Sequence, residues 1–212
     1  MPARIFVLAG VNGAGKSSVG GAALLQKNVD YFNPDLAARA LLDANPGLAA
    51  EAANAQAWEF GRKGLERALA DGLNFAFETT LGARTIPQML LEGARSGAQV
   101  HLWYAGLSSP ELHLRRVRAR VAAGGHDIPE AKIRERYETS RANLIRLLPH
   151  LASLRLYDNS AEGDPKAGQR PQPVLLLHME RGRVVSHIPL EQVPHWAKPI
   201  MAIALARPGA AG

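Results

Sequence analysis

The apolar positions of the chain fall into short runs, separated by longer stretches with helical periodicity. Five runs predict buried strands, because each is short, mainly apolar and bounded by turn-forming residues. They lie at residues 4–9, 29–32, 73–81, 98–106 and 154–159. Asn33-Pro34 ends the second run, and Asp71-Gly72 forms a turn before the third.

Helical patterns fill the intervals between these strands. They lie at residues 18–26, 35–43, 48–71, 84–96, 109–123 and 130–148. Asn45-Pro46-Gly47 separates the second helix from the third. Ser109-Pro110-Glu111 starts the fifth with a hydroxyl cap, a proline in the first turn and a nearby acid. Strands that alternate with helices up to residue 159 predict an α/β fold with a mostly parallel, five-stranded sheet covered on both faces.

Two additions to this alternation are predicted within one domain that spans residues 1–212. The helical pair at about 109–148 is too long for an ordinary crossover, which indicates a lid over a site. Residues 160–173 are rich in glycine, proline and charge and predict a surface loop. The apolar stretches around Arg181-Gly182-Arg183 predict a C-terminal hairpin at about 174–188.

The first strand leads into the segment GVNGAGKSS, residues 10–18, which matches the phosphate-binding pattern G-x-x-x-x-G-K-[ST]. Glycines let backbone N–H groups turn toward phosphate oxygens, and the following helix adds its dipole. Lys16 is predicted to reach the β- and γ-phosphates, and Ser17 to bind Mg²⁺. This motif predicts a P-loop NTPase three-layer sandwich that binds ATP or GTP with Mg²⁺. The predicted nucleotide-binding residues are Gly10, Asn12, Gly13, Ala14, Gly15, Lys16, Ser17 and Ser18.

Two carboxylates lie at the ends of successive predicted strands. Asp35 comes just after the second strand, and Glu78 lies near the end of the third. Because the carboxyl ends of parallel strands open on the ligand side, both are expected near the γ-phosphate. Asp35 is the predicted base for an attacking hydroxyl, or alternatively a helix N-cap. Glu78, with Thr79 and Thr80 beside it, is predicted to bind the acceptor. The alternative is that Glu78 is only a solvated charge at the end of the strand and that the threonines are ordinary strand residues.

Positive charge is concentrated in the predicted lid. The formal net charge is +6, from 25 basic and 19 acidic residues. The basic residues of the lid are Arg115, Arg116, Arg118, Arg120, Lys132, Arg134, Arg136, Arg141 and Arg146. Transfer of a phosphoryl group requires fixed cations, so Arg120 and either Arg134 or Arg136 are predicted to contact phosphate. Several of the nine are expected only to form a solvated basic face.

Composition adds further expectations. The 47% hydrophobic content supports a folded core, and the chain has no cysteine, which fits a reducing cytoplasm. The first apolar run is too short for a signal peptide, and no run approaches the roughly 20 residues that span a bilayer. Trp58, Trp103 and Trp196 are expected to be packing residues, and His126 a local hydrogen-bonding residue of the lid loop.

These residues together resemble the zeta toxin family of P-loop kinases, over about residues 4–159. The matching segments are GVNGAGKSS, YFNPDLAA, FETT and RARVAAGGHDIPEAKIRERYETSRANL. In that family Gly-Thr usually follows the strand-three acid, whereas this chain has Thr79-Thr80.

The resemblance implies ATP- or GTP-dependent phosphorylation of a small hydroxylated acceptor, which in some members is UDP-N-acetylglucosamine. Its catalytic residues would be Lys16, Asp35, Arg120 and Arg134, and Glu78 would hold the acceptor. Asp158-Asn159-Ser160 would approach the nucleotide base, and an antitoxin would be a separate chain.

Two other functions remain open at this point. A nucleotide-dependent switch without an acceptor is disfavoured, because the fourth strand lacks the acid that usually holds Mg²⁺ in such proteins. A polynucleotide kinase or nucleic-acid-binding protein would suit the basic charge. Few aromatic residues alternate with the arginines, however, which disfavours stacking on bases.

Overall fold

The computed structural model describes residues 1–25, 31–125, 127–162 and 172–206, with backbone only for 21–25. Its central feature is a seven-stranded sheet in the order β2-β3-β1-β4-β5-β6-β7. The strands are β1 (Arg4–Ala9), β2 (Tyr31–Phe32), β3 (Phe75–Thr79), β4 (Gln99–Gly106), β5 (Ser153–Asp158), β6 (Val174–Glu180) and β7 (Arg183–His187). β1 to β5 are parallel to one another. β6 pairs with β5 in antiparallel orientation, and β7 pairs with β6 in the same way.

Helices cover both faces of this sheet. They are α1 (Lys16–Leu25), α2 (Pro34–Ala44), α3 (Ala50–Asp71), α4 (Thr85–Arg95), α5 (Pro110–Ala122), α6 (Glu130–Leu147) and α7 (Lys198–Leu205). Successive side chains of β1 point to opposite faces of the sheet. Ile5 and Val7 pack in the main core, and Phe6 and Leu8 pack in a smaller cluster with Trp103. The predicted mostly parallel α/β sandwich is therefore confirmed.

The position of β1 decides where a ligand can bind. β1 lies between β3 and β4, with Ile5 in register with Phe75 on one side and with Val100 on the other. The chain thus leaves the sheet at the point where strand order reverses, and a crevice opens there beyond the carboxyl ends of the strands. The glycine-rich segment follows β1 at this crevice.

The prediction of five strands was too low. The predicted hairpin exists, but it pairs with β5 and extends the same sheet to seven strands. Leu176, Leu177 and Met179 of β6 are buried in the main core, so this edge is part of the fold. Residues 163–171 of the predicted surface loop lie outside the described part of the chain.

The C-terminal helix α7 was not predicted from the sequence. It is only eight residues long, which gives a weak periodic signal. Its Ile200, Met201 and Ala204 are buried together with Trp196, which precedes the helix. Tertiary packing therefore stabilises a helix too short to form alone.

The predicted lid combines an anchored half with an exposed half. Leu144 and Leu147 of α6 are buried in the main core, so the end of this helix is a fixed layer of the fold. The segment from Asp127 to Lys132 instead lines a large cavity. Lid movement stays a prediction, and His126 lies outside the described residues. Among the described helices, none is long and apolar enough to cross a bilayer.

Candidate active site

The glycine-rich turn requires its glycines for conformational reasons. Gly10 has a φ of 143°, and a Cβ there would lie 2.3 Å from the carbonyl oxygen of Ala105. Gly15 has a φ of 74°, and a Cβ would lie 2.3 Å from Nδ2 of Asn159. Other residues rarely adopt such angles, so the turn is specific to glycine. Lys16 begins α1 directly after the turn, and Ser17 and Ser18 are exposed in its first turn.

Three side chains from distant parts of the chain hold the turn in place. His113 bonds through Nδ1 to the carbonyl oxygen of Asn12 (2.8 Å), and Arg136 donates to Oδ1 of the same residue (2.9 Å). Asn159 donates from Nδ2 to the carbonyl oxygen of Ala14 (2.9 Å). The phosphate-binding turn is therefore supported by α5, α6 and the end of β5 before any ligand arrives.

His113 serves this role as a neutral donor. Its side chain is 1% exposed, and burial lowers the pKa of its imidazole to about 4. Because a carbonyl oxygen only accepts, Nδ1 must carry the hydrogen in this bond. His113 was not predicted as part of the site, since a single histidine among helical arginines carries no distinguishing pattern.

Lys16 and Glu78 form an ion pair beneath the turn. Nζ of Lys16 lies 3.1 Å from Oε1 of Glu78 and donates to the carbonyl oxygen of Gly10 at 3.0 Å. The two side chains are only 9% and 12% exposed. The structure therefore brings the predicted phosphate-binding lysine and the predicted acceptor-binding carboxylate into direct contact.

The other oxygen of Glu78 has its own partners. Oε2 accepts hydrogen bonds from the Tyr31 hydroxyl at 2.6 Å and from Nδ2 of Asn33 at 3.2 Å. Burial, and then the bond to Glu78, raise the pKa of Tyr31 well above its ordinary value. Tyr31 therefore keeps its proton and acts as a donor. Neither Tyr31 nor Asn33 was predicted as part of the site.

Asp35 is not the cap of α2. Asn33 is the N-cap, and its Oδ1 accepts from the backbone N–H groups of Asp35 (2.9 Å) and Leu36 (3.2 Å). This corrects the alternative interpretation of Asp35. The sequence could have indicated this cap, because asparagine is a favoured N-cap residue and Pro34 suits the first helical position. The carboxylate of Asp35 is 53% exposed and lies 3.4 Å from a guanidinium nitrogen of Arg120.

The two predicted lid arginines of α6 lie in different places. Arg134 is 45% exposed and forms ion pairs with Glu111 and Glu130 at 2.8 Å each. Arg136 lines the cavity, contacts the glycine-rich turn and has no carboxylate within ion-pair distance among the described residues. The structure thus brings Arg120 and Arg136 to the site, and it does not bring Arg134 there.

A cavity of about 680 Å³ adjoins Asp35, Glu78 and Arg136. Residues predicted to bind the nucleotide, to bind the acceptor or to assist transfer all line it, namely Asn12, Asp35, Glu78, Thr79, Thr80 and Arg136. Both threonine hydroxyls accept from backbone N–H groups two residues ahead, which leaves their hydrogens available to a ligand. Phe32, Ile86 and Pro87 add apolar surface.

Trp58 lines the same cavity and differs from the packing role predicted for it. It is 44% exposed, whereas Trp103 and Trp196 are buried as predicted. Trp196 also donates to Oδ1 of Asp158, the last residue of β5. The end of this strand therefore bonds to the C-terminal segment through Asp158 and to the glycine-rich turn through Asn159. The predicted contact of residues 158–160 with a nucleotide base stays a prediction.

The sequence profile of the zeta toxin family matches residues 2–161, well over half of the chain. The chain therefore belongs to the zeta toxin family, which confirms the resemblance. A Haemophilus influenzae protein described as uncharacterized is 32% identical over 141 residues, which are 65% of this chain and 94% of that protein.

Solved structures resemble the fold over most of the chain. The crystal structure of the AvrRxo1-ORF1:-ORF2 complex with ATP matches with a TM-score of 0.61 and 16% identity, over 100% of this chain and 66% of that one. A structure from the PezAT toxin-antitoxin system of Streptococcus pneumoniae matches with a TM-score of 0.51 and 17% identity, over 80% and 74%. This chain thus spans about two thirds of the AvrRxo1 chain. At these identities the likeness shows a shared α/β fold.

Proposed function

We propose that this chain is a kinase that transfers the γ-phosphoryl group of ATP or GTP to a hydroxyl of a small acceptor, with UDP-N-acetyl sugars as the first acceptors to test. The observation that carries the proposal is the single cavity lined by Asn12 of the glycine-rich turn, Asp35, Glu78 and Arg136. A nucleotide-binding switch without an acceptor has no need for two carboxylates in such a cavity.

Asp35 is the proposed base. It lies on the cavity wall, and its carboxylate is not occupied by helix capping. It would accept the proton of the acceptor hydroxyl as the bond from that oxygen to the γ-phosphorus forms. The bond from the γ-phosphorus to the β,γ-bridging oxygen breaks, and the nucleoside diphosphate leaves with that electron pair.

The cations of the site have separate proposed tasks. Lys16 would bind the β- and γ-phosphates, and Arg120 and Arg136 would stabilise charge on the transferring group. The donor set also fits a nucleotide-bound Mg²⁺, because the Ser17 hydroxyl is exposed in the first turn of α1, beside Lys16. When bound, that ion would neutralise charge on the phosphate oxygens.

The proposed partners follow from family membership. The acceptor is a small molecule, and we propose that an antitoxin, where one exists, is a separate chain. Long nucleic acids are a weaker proposal, since Arg115, Arg118 and Arg134 are already ion-paired with glutamates. A reaction that consumes ATP or GTP places the proposed activity in the cytoplasm.

The decisive experiment uses MgATP and MgGTP with a panel of UDP-sugars, nucleosides, simple sugars and a short RNA, analysed by mass spectrometry for new phosphate esters. We expect one acceptor class to gain a single phosphate. Nucleotide hydrolysis with no ester in the panel or in a cell extract would overturn the kinase proposal and favour the switch. An ester on the RNA alone would favour the polynucleotide kinase.

A further inference from the structure

We propose that Glu78 and the nucleotide compete for Lys16, so that one oxygen of Glu78 becomes free for the acceptor only after the nucleotide has bound. This inference rests on the proposed function. It assigns Tyr31 and Asn33 as positioning residues that keep Glu78 in place during the exchange.

Lys16 is held between two acceptors of this chain. Its ammonium group lies between the carbonyl oxygen of Gly10 and Oε1 of Glu78, at 3.0 Å and 3.1 Å. A lysine at this position of the motif binds the β- and γ-phosphates. Because an ammonium group cannot satisfy a nearby carboxylate fully while it also binds two phosphates, nucleotide binding must weaken the contact with Glu78.

The other oxygen of Glu78 is held by different donors. Tyr31 and Asn33 both donate to Oε2, at 2.6 Å and 3.2 Å, and neither bond involves Lys16. Asn33 is itself fixed, because its Oδ1 caps α2 through the backbone of Asp35 and Leu36. Glu78 therefore remains anchored through Oε2 when the lysine leaves, and it does not follow the lysine toward the phosphates.

The movement of Lys16 leaves Oε1 of Glu78 without its partner. Once Lys16 has moved, Oε1 has no donor among the described residues, in a side chain that is only 12% exposed. A buried carboxylate oxygen without a donor is costly, so a hydroxyl in the adjoining cavity binds there favourably. The hydroxyl-binding oxygen is thus created by nucleotide binding, which favours the order nucleotide first, acceptor second.

Thermodynamic linkage makes the competition measurable without knowing the acceptor. If Glu78 holds Lys16, removing its charge must strengthen the binding of nucleotides that reach Lys16. AMP has no β-phosphate, so its binding must respond much less. Glu51 provides the matched control, because it lines the same cavity and forms no ion pair among the described residues.

The experiment measures dissociation constants of MgADP, MgATP and AMP by titration calorimetry, for the wild type, Glu78→Gln and Glu51→Gln. We expect Glu78→Gln to bind MgADP and MgATP about fivefold more tightly or better, a typical coupling between two sites. AMP affinity should stay within about twofold of the wild type, as should all affinities of Glu51→Gln. Weaker MgADP binding by Glu78→Gln, or an equal gain for AMP, would overturn the inference. Absence of any nucleotide binding by the wild type would overturn the proposed function instead.

Tyr31→Phe tests the positioning role. Without the phenol, Glu78 has one fewer donor and holds Lys16 more strongly, so MgADP should bind about two- to threefold more weakly while AMP is unaffected. The double variant with Glu78→Gln should abolish that loss. A Tyr31→Phe loss shared equally by AMP would show a merely structural role.

A crystal structure with a non-hydrolysable ATP analogue gives a second, independent test that needs no variant. Nζ of Lys16 should lie beyond 4 Å from Oε1 of Glu78, while both bonds to Oε2 persist. A retained ion pair in that complex would contradict the exchange.

Discussion

The two regions that line the cavity are built in opposite ways. On the side of β1, β2 and β3, Lys16 and Glu78 are largely shielded from water, and Glu78 bonds to Lys16 and to the half-buried Tyr31 across long sequence separations. On the side of α5 and α6, Arg118 and Arg134 are exposed and pair with Glu130 of α6.

This contrast separates the charges that hold the site from those that can respond to a ligand. Buried pairs are costly to break and keep one geometry, whereas exposed pairs contribute little and are screened by salt. We therefore expect changes on the strand side to alter the site strongly. Changes on the helix side should matter only where a side chain enters the cavity or, like His113 of α5, supports the glycine-rich turn.

The largest expected effect is on Asp35, the one exposed carboxylate that the chemistry requires. Asp35→Asn should lower turnover at least about 100-fold while nucleotide affinity stays near normal, because a positioned base contributes on that order. Steady-state kinetics with the acceptor found in the panel, together with calorimetry, measure the two effects. Asp43→Asn on the same helix is the control. Undiminished turnover of Asp35→Asn would remove this residue from the mechanism.

His113, on the buried face of α5, gives a pH-dependent effect on stability. Its folded pKa of about 4 lies below the ordinary value of 6.5, so the unfolded chain takes up the proton first as pH falls. This contribution to stability is present at neutral pH and is lost as pH falls through 6.5 toward 4. The loss should be about 2 kcal/mol between pH 7 and pH 5.

Urea unfolding at several pH values measures the His113 effect. His113→Asn keeps a donor near the carbonyl oxygen of Asn12 but cannot titrate, so its unfolding free energy should lose less over the same range. If the wild type and His113→Asn show the same pH dependence, the neutral buried histidine is not its cause.

Arg136 should have a smaller effect on catalysis than Asp35. Arg136→Gln is expected to lower turnover by about tenfold, because Arg120 still provides one cation and the bond to Asn12 is weakened. Nucleotide affinity should fall less than turnover. A loss confined to stability, with normal turnover per folded molecule, would assign Arg136 to support of the turn alone.

The smallest effect should come from Arg134, the residue that the family resemblance placed in the catalytic set. Because it is ion-paired on the exposed side of α6, Arg134→Gln should keep turnover within about twofold of the wild type. A loss as large as that of Arg136→Gln would show that the lid rearranges and brings Arg134 to the phosphates.

Much of the fold could be predicted from the chain because it is encoded locally. The apolar run 4–9 matches β1 residue for residue, and the glycine-rich turn depends on backbone angles that only a few residues allow. The second predicted strand, 29–32, includes β2, and its residues 29–30 lie outside the described part of the chain. The helix α7, which packing stabilises, was not predicted. Elements whose stability comes from distant contacts leave a weak mark on their own residues.

The site shows the same limit. The positions of Asp35 and Glu78 at the ends of their strands could be read from the sequence. The Lys16–Glu78 ion pair and the hydrogen bond from Asn33 to Glu78 could not, because each joins residues from separate segments. The choice between Arg134 and Arg136 was also not local. Residues two apart on a helix point about 200° apart, so the orientation of α6 decides which one meets the cavity.

The phosphate-binding turn, the alternation of strands and helices, the family and the two carboxylates at strand ends could all be read from the chain. These features depend on backbone conformation and on spacing along the chain. Folding in three dimensions was needed to show that the hairpin extends the sheet, that His113 and Asn159 support the turn, and that Lys16 pairs with Glu78. These depend on which side chains the packed core brings within hydrogen-bond distance.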